Sequence, residues 1–384
     1  MIKNLKEKLS RLAENEPLAP YTTFKIGGPA KYFFTAKSAD DMARAVRAAL
    51  DCGVPFFVLA GGSNILVSDN GFDGLVILSA IMGCVFASEG DQVIATVGAG
   101  ENWDNFVAKC VGQNLSGIEC LSGIPGTVGA APVQNIGAYG QSVDSVIRTV
   151  EAVDSATGTR VTFDNTQCEF GYRTSIFKKT PGRYIIMQVT FVLTPGGAPL
   201  ITYHDLKQYF GASQVSPPSQ GGDSGVVYHS APPPATPQGG GETYAPSLAE
   251  VRRAVIEIRA RKGYVIMPEY ECYKTAGSFF MNPIITQDQF ENLQRMIKGC
   301  PDPWFWPLPD GTVKVSAACL LQSAGFLKGY RRGRAGISPK HSLSLVNFNG
   351  ASASDIVALV QDIKTRVREK FDIMLQEEVQ MVGF

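Results

Sequence analysis

The stretch Gly123-Ile-Pro-Gly-Thr-Val-Gly-Ala-Ala-Pro-Val-Gln-Asn-Ile-Gly-Ala-Tyr-Gly140 decides how this chain is read. From Leu121 to Ser142 no side chain is charged. Glycine admits positive φ and lets a ligand approach the backbone, and amides free of side-chain bulk donate to anionic or carbonyl oxygens. A single such glycine is ordinarily a tight buried turn. Five glycines and two prolines in one uncharged loop point instead to a cradle for something large and planar.

The flanking segments argue against the familiar nucleotide loops. Val54-Pro-Phe-Phe-Val-Leu-Ala60 reads as a buried strand, Gly61-Gly-Ser-Asn64 as a turn, and Ile65-Leu-Val67 as strand again, with Asn70-Gly71 as the next hairpin-type turn. A Walker or Rossmann loop runs from strand into helix, whereas this one runs from strand to strand. Gly98-Ala-Gly100 is followed by Trp103 where a dinucleotide fingerprint requires its third glycine. Ser38-Ala-Asp-Asp41 caps a helix that stops at Gly53, and a second helix runs from Trp103 to about Gly112. Val150–Asp154 and the run from Tyr184 are strand-like, so the fold class is α+β.

At 384 residues the chain has length for two or three domains. Its 35 Lys+Arg and 35 Asp+Glu cancel, so no global field recruits nucleic acid or an anionic membrane. Any anionic ligand must be held by local geometry. Met1–Ser10 reads as an amphipathic helix without an apolar run of signal-peptide length, and no later stretch would span a bilayer. The expectation is a cytoplasmic protein. Eight cysteines are scattered without a CxxC pair and only three histidines are present. No metal site is expected, and the thiols are expected to be free and buried in a reducing compartment.

Residues 211–246 differ in kind. Ser216-Pro-Pro-Ser-Gln-Gly-Gly222 and Ala231-Pro-Pro-Pro-Ala-Thr-Pro-Gln-Gly-Gly-Gly241 carry too little apolar content to offset chain ordering. They read as a flexible inserted loop, with polyproline recognition as the alternative. Ser247-Leu-Ala-Glu250 then caps a helix with Leu248, Val251, Val255 and Ile258 on one face. Arg259, Arg261 and Lys262 crowd its last turn, either complementing the helix dipole or meeting a phosphate. Further on, Val315–Ala324 reads as helix, Ser338–Asn347 as strand, Ala353–Phe371 as a long helix, and the run from Ile373 as strand.

Together these segments resemble UDP-N-acetylenolpyruvoylglucosamine reductase of the type I subtype, from about Tyr21 to Gly383. Four blocks carry the resemblance: Thr23-Phe-Lys-Ile-Gly-Gly28, Gly61-Gly-Ser-Asn-Ile-Leu66, Ile124–Gly140, and Ala276-Gly-Ser-Phe-Phe-Met-Asn-Pro283. Phe170-Gly-Tyr-Arg-Thr-Ser-Ile-Phe-Lys178 with Leu200-Ile-Thr-Tyr-His-Asp-Leu206 carries the subtype. The resemblance implies two FAD-binding subdomains of the vanillyl-alcohol-oxidase/PCMH type and a C-terminal α+β substrate-binding domain. The expected divisions are 1–82 with 376–384, 83–266, and 267–375. It implies FAD and NADPH as cofactors, UDP-N-acetylglucosamine enolpyruvate as small-molecule substrate, and a monomer without an obligate protein partner. A flavin-dependent oxidase on the same FAD fold is the alternative.

The same resemblance implies residue roles. Ser278 would be the general acid, and Arg173 and Glu378 would stabilise the enolic intermediate. Gly61, Gly62, Ser63, Asn64 and Ile65 would hold the pyrophosphate. Ser122, Pro125, Gly126, Gly129, Ala130, Gln134, Asn135, Gly137, Ala138 and Tyr139 would line the rest of the FAD. Tyr172, Tyr203, Lys262 and Asn282 would bind substrate, Lys262 at the enolpyruvyl carboxylate or the diphosphate. The family commonly ends in Pro-Glu-Val-Arg where this chain has Glu377-Glu-Val-Gln380, and register favours Glu378 over Glu377. Deletion of residues 213–245 is expected to leave steady-state reductase kinetics near normal; loss of turnover in the shortened chain would assign the insert a direct role.

Overall fold

The computed structural model describes residues 2–212, 245–265, 273–301 and 303–384. The expected flexible insert lies almost wholly outside the described residues, as does Cys272.

The first sheet orders Ala13–Pro17, Pro29–Ala36, Phe72–Ser79 and Phe56–Leu59 side by side. The last three strands are parallel, which requires crossover connections, and the helix Ala39–Asp51 supplies one. Ser38 caps it by accepting from the Asp41 amide. Met42, Ala45, Val46 and Ala49 then pack on Tyr32, Phe34, Leu75 and Ile77, with Leu5 of the N-terminal helix Ile2–Lys8 and Leu9 just after it closing the core.

The second sheet is antiparallel throughout, in the order Thr159–Asp164, Ile147–Asp154, Tyr184–Pro195, Gln92–Gly98, Cys84–Glu89. Its long strand Tyr184–Pro195 serves two cores. Ile185 and Met187 join the core of the first sheet, while Val189, Phe191 and Leu193 pack on Trp103, Phe106 and Val107. All five have the same parity, so a regular strand would turn them to one face. An irregularity in the pairing with Ile147–Asp154, between Glu151 and Ala152, reverses the face midway.

Two small sheets and the helix Ala353–Phe371 build the C-terminal region. Ile356, Leu359, Val360, Ile363 and Val367 form one core with Phe279, Phe280 and Leu320, and Phe24 and Leu66 from the N-terminal region enter that core. Gln380–Val382 finally returns to pair in parallel with Ile65–Val67.

Several expectations need correction. Asn70-Gly71 is not a hairpin turn: Ile65–Val67 pairs with the distant C-terminal strand, while Phe72–Ser79 pairs with Pro29–Ala36 and Phe56–Leu59. The strand read from Ile373 shortens to Gln380–Val382, and that read over 338–347 shortens to Leu345–Asn347. In both, apolar side chains anchor irregular backbone to the core one by one, which a local pattern does not distinguish from strand. Val315 ends the strand Val313–Val315 and the helix begins at Ala317. The thiols are not all free. Cys300 and Cys319 form a disulfide with Cα atoms 5.8 Å apart, a pairing that Cys–Cys spacing alone could not signal; Cys52, Cys110, Cys120 and Cys168 are free and buried.

Phe280→Ala is expected to destabilise the chain by about 3–5 kcal/mol, because the side chain is fully enclosed and its neighbours belong to the shared core. The urea midpoint measures it, and a loss below 1 kcal/mol would mean that this core closes without it.

Candidate active site

Ser278 sits on an extended segment threaded between two others. The Phe279 amide donates to the Leu343 carbonyl at 2.8 Å on one side. On the other, the Glu378 amide donates to the Phe279 carbonyl at 2.8 Å and the Met281 amide to the Gln376 carbonyl at 2.9 Å. Gly277, with φ +78°, supplies the left-handed turn just before the serine. Residues a hundred positions apart thereby become neighbours, and Ser278 and Glu378 line the same cavity of about 450 Å³.

The opposite wall is main chain. Gly61 and Gly126 meet so closely that a Cβ on Gly61 would stand 2.8 Å from the Gly126 Cα. The Ser63 hydroxyl donates to the Pro125 carbonyl at 3.4 Å. The Gly61–Asn64 turn also reaches the C-terminal segment: Asn64 Nδ2 donates to the Glu378 carbonyl at 3.0 Å and the Gln380 amide to the Asn64 carbonyl at 3.0 Å. Below, the glycine loop is braced by the Val128 and Gly129 amides, which donate to the Glu101 and Ala99 carbonyls at 2.9 Å each. The Trp103 indole donates to the Leu121 carbonyl at 3.0 Å. Asn135 and Tyr139 both adopt positive φ.

Charge is concentrated in this cavity and shielded from water. Desolvation raises the Glu378 carboxyl above its ordinary range, with Arg173 and Lys178 opposing the shift. Arg173 itself has φ +54° and donates through Nη2 to the Gly137 carbonyl at 3.2 Å. Burial likewise lowers the Arg259 guanidinium from its usual range, opposed by Tyr139, Tyr264 and Asp104. Burial pushes His341 down to about 4, with Lys328 acting the same way, so its ring is neutral at pH 7. Arg259 Nε and His341 Nδ1 are buried without a partner.

The structure brings Ser278, Arg173, Glu378, Tyr203, Lys262, Ser63, Asn64, Pro125, Ala130, Gln134, Gly137, Ala138 and Tyr139 to the cavity wall. It does not bring the others to that surface. Gly61, Gly62, Gly126 and Gly129 shape the loops from behind, and a Cβ on Gly62 would stand 2.0 Å from the Tyr21 carbonyl oxygen. Ile65 is buried at the start of its strand. Ser122 is buried with its hydroxyl on the Glu119 carbonyl at 2.6 Å. Asn135 braces Asp144 and the Gly171 carbonyl. Tyr172 is 69% exposed, its ring 4.3 Å from Lys314 Nζ. Asn282 accepts from the Ala317 amide at 3.0 Å, at the start of a helix. Glu377 pairs with Lys364 at 2.8 Å and is absent from the cavity wall, which Glu378 lines.

Sequence reading missed Arg259, Tyr264, His341, Asp205 and Thr127 as wall residues. Arg259 carried a signal through the basic last turn of its helix, Thr127 through the glycine loop and Asp205 through the block Leu200–Leu206. His341 lay in a segment read as strand, and in the fold its ring packs against that of Tyr264, 4.5 Å away.

The residues present fit a bound dinucleotide. The buried Thr127 hydroxyl has no partner, Thr127 lines the cavity, and glycine-rich turns leave main-chain amides free to meet anionic oxygens. Such a wall defines a flavoprotein, and residues 30–164 match the FAD binding domain family. Residues 268–382 match the UDP-N-acetylenolpyruvoylglucosamine reductase C-terminal domain. The reductase of that name from Thermobifida fusca is 40% identical over 377 residues, 97% of this chain and 98% of its own. That of Mycobacterium tuberculosis is 36% identical over 389 residues, covering 97% and 96%. The crystal structure of the reductase from Thermus caldophilus matches with a TM-score of 0.58 and 25% identity, covering 97% of this chain and 98% of that one. This chain belongs to the UDP-N-acetylenolpyruvoylglucosamine reductase family. It is an oxidoreductase that uses FAD, with NADPH as reductant. Among the described residues, no helix is long and apolar enough to cross a membrane.

Because the Glu378 carboxyl is raised in the folded chain, the folded state binds more protons than the unfolded one between the ordinary glutamate value and the raised one. Stability therefore falls as pH rises through that window. Glu378→Gln should remove this part of the slope in a plot of urea midpoint against pH; an unchanged slope would place the titration elsewhere.

Proposed function

We propose that this chain reduces UDP-N-acetylglucosamine enolpyruvate to UDP-N-acetylmuramate, a step of peptidoglycan precursor synthesis. The observation that carries the proposal is the meeting of Ser278, Arg173 and Glu378 on a cavity whose other wall is the glycine loop. FAD, held by Gly61–Asn64 and the loop 122–139, would supply the hydride chemistry, with NADPH as the reductant.

The remaining tasks fall to the chain's own side chains. An enol ether resists hydride addition unless the developing carbanion beside the carboxylate is neutralised and then protonated. Ser278 is assigned the proton at C2. A serine hydroxyl is a weak acid, so the role depends on its fixed placement, which the flanking hydrogen bonds from Phe279 and Glu378 support. Arg173 and Glu378 are assigned to the enolic intermediate, where the burial of the Glu378 carboxyl strengthens its charge interactions. Lys262 and Tyr203 are assigned to substrate. Lys262 holds Asp205 at 2.5 Å, and Tyr203 stands edge-on to Tyr139 with ring centroids 5.5 Å apart. Asn282 supports the substrate wall through the helix Ala317–Ser323, and Tyr172 belongs to the rim. Gly61–Asn64 and the loop 122–139 are assigned to FAD, with Ile65 and the buried glycines setting their shape.

The division into 1–82 with 376–384, 83–266 and 267–375 is retained as part of this reading, supported by the return of the last strand to Ile65–Val67. NADPH and a UDP-sugar are cytosolic metabolites, so the reading assigns the enzyme to the cytoplasm, acting as a monomer on small molecules. A flavin oxidase would have no use for Ser278 set among Arg173 and Glu378.

Ser278→Ala should leave flavin reduction by NADPH intact and slow anaerobic reoxidation by the enolpyruvyl sugar nucleotide by about 10²–10⁴-fold. Stopped-flow absorbance separates the two half-reactions, and equal damage to both would contradict the assignment.

A further inference from the structure

Glu119 does not line the cavity, no step above uses it, and yet it is fully buried. No ion pair among the described residues includes it. Its carboxylate instead collects three N–H groups. The Gly117 amide donates to Oε2 at 2.8 Å, while Gln141 Nε2 at 2.7 Å and the Leu200 amide at 3.0 Å donate to Oε1. Gln141 returns its own carbonyl oxygen to the Cys120 amide at 2.8 Å, and Cys120 Sγ donates to the Leu200 carbonyl at 3.2 Å. Leu200 is thus held at both its N–H and its C=O.

The network joins three places that are distant in sequence: the turn leading into the glycine loop, the residue just after that loop, and the residue three before Tyr203. Beyond Leu200 the contact continues. A Cβ on Gly140 would stand 2.6 Å from the Thr202 hydroxyl, the Tyr203 ring meets Tyr139, and Asp205 takes Lys262. An isolated buried carboxylate is costly, and only donors on every side offset the loss of water. The group has to be an acceptor alone, since a glutamine here would turn its own N–H groups toward Gly117, Gln141 or Leu200.

We propose that Glu119 is a positioning residue for the sugar-nucleotide half-reaction, fixing the segment from Leu200 to Asp205, and with it Tyr203, against the glycine loop. The inference rests on the function proposed above. Its test uses the full-length, FAD-loaded enzyme and follows the two half-reactions separately. Wild-type enzyme reduced by NADPH must first be reoxidised anaerobically by UDP-N-acetylglucosamine enolpyruvate; if it is not, the functional reading fails and Glu119 is not the cause. Given that reoxidation, Glu119→Gln is expected to raise the KM for the sugar nucleotide about tenfold, the scale of one lost charge-assisted hydrogen bond, with NADPH reduction of the flavin within about twofold of wild type. Loss of FAD, or equal slowing of both half-reactions, would make Glu119 a strut of the glycine loop and overturn the proposal. Leu200→Pro removes the N–H that faces Glu119, together with the leucine side chain packed beside Cys120, and leaves the Gly117 and Gln141 donors in the chain; Leu200→Ala, which keeps the N–H, is the control for the lost side chain. Leu200→Pro carries the test even where the glutamine variant does not fold: the same split is expected, and an unchanged sugar-nucleotide KM overturns the proposal.

Discussion

The arrangement depends on a short parallel pairing: Gln380–Val382 laid beside Ile65–Val67, with Asn64 bonded to the main chain of both Glu378 and Gln380. That pairing brings the far end of the chain to the Gly61–Asn64 turn at the cavity. It sets Glu378 by backbone hydrogen bonds, so the position of the carboxyl does not rely on its own side-chain contacts. The Phe279 carbonyl accepts from the Glu378 amide, and the same pairing therefore also sets where Ser278 stands.

A second constraint is the absence of side chains where two loops meet. Gly61 lies on Gly126, and Gly62 lies against the Tyr21 carbonyl, at separations that leave no room for a Cβ. The close approach leaves a wall of main chain whose amides suit a long anionic cofactor. Charged groups then gather on the other side: Arg173, Arg259, Lys262, Lys340 and Glu378 around one cavity. Burial moves Glu378 up and Arg259 and His341 down. The ring of His341 stays neutral, so the cavity's positive charge comes from its arginines and lysines.

The local elements were legible in the sequence. Ser38 and Ser247 cap helices as their spacing predicts, because capping is decided within four residues. The glycine loop and the Gly61–Asn64 turn were legible for a similar reason, since their glycines mark backbone that must be approached closely. Ser278, Arg173 and Glu378 were named through a family resemblance, and nothing in their immediate neighbours would have selected them. Asn282 and Tyr172 were named in the same way, and the structure sets one at the start of a helix and the other exposed beside Lys314.

What the amino-acid sequence determined by itself was the helices Ala39–Asp51, Trp103–Gly112, Leu248–Arg261 and Ala353–Phe371, the glycine-rich character of two loops and, through its motifs, the family. Only the tertiary structure decided that Ile65–Val67 pairs with the last strand, that the face of Tyr184–Pro195 reverses midway, that Cys300 bonds Cys319, and that Glu119 gathers three loops on one carboxylate. The reason is common to all four. Each is a contact between segments separated by many residues, whose energy comes from burial and from partners supplied by the rest of the fold, and no short-range pattern records it.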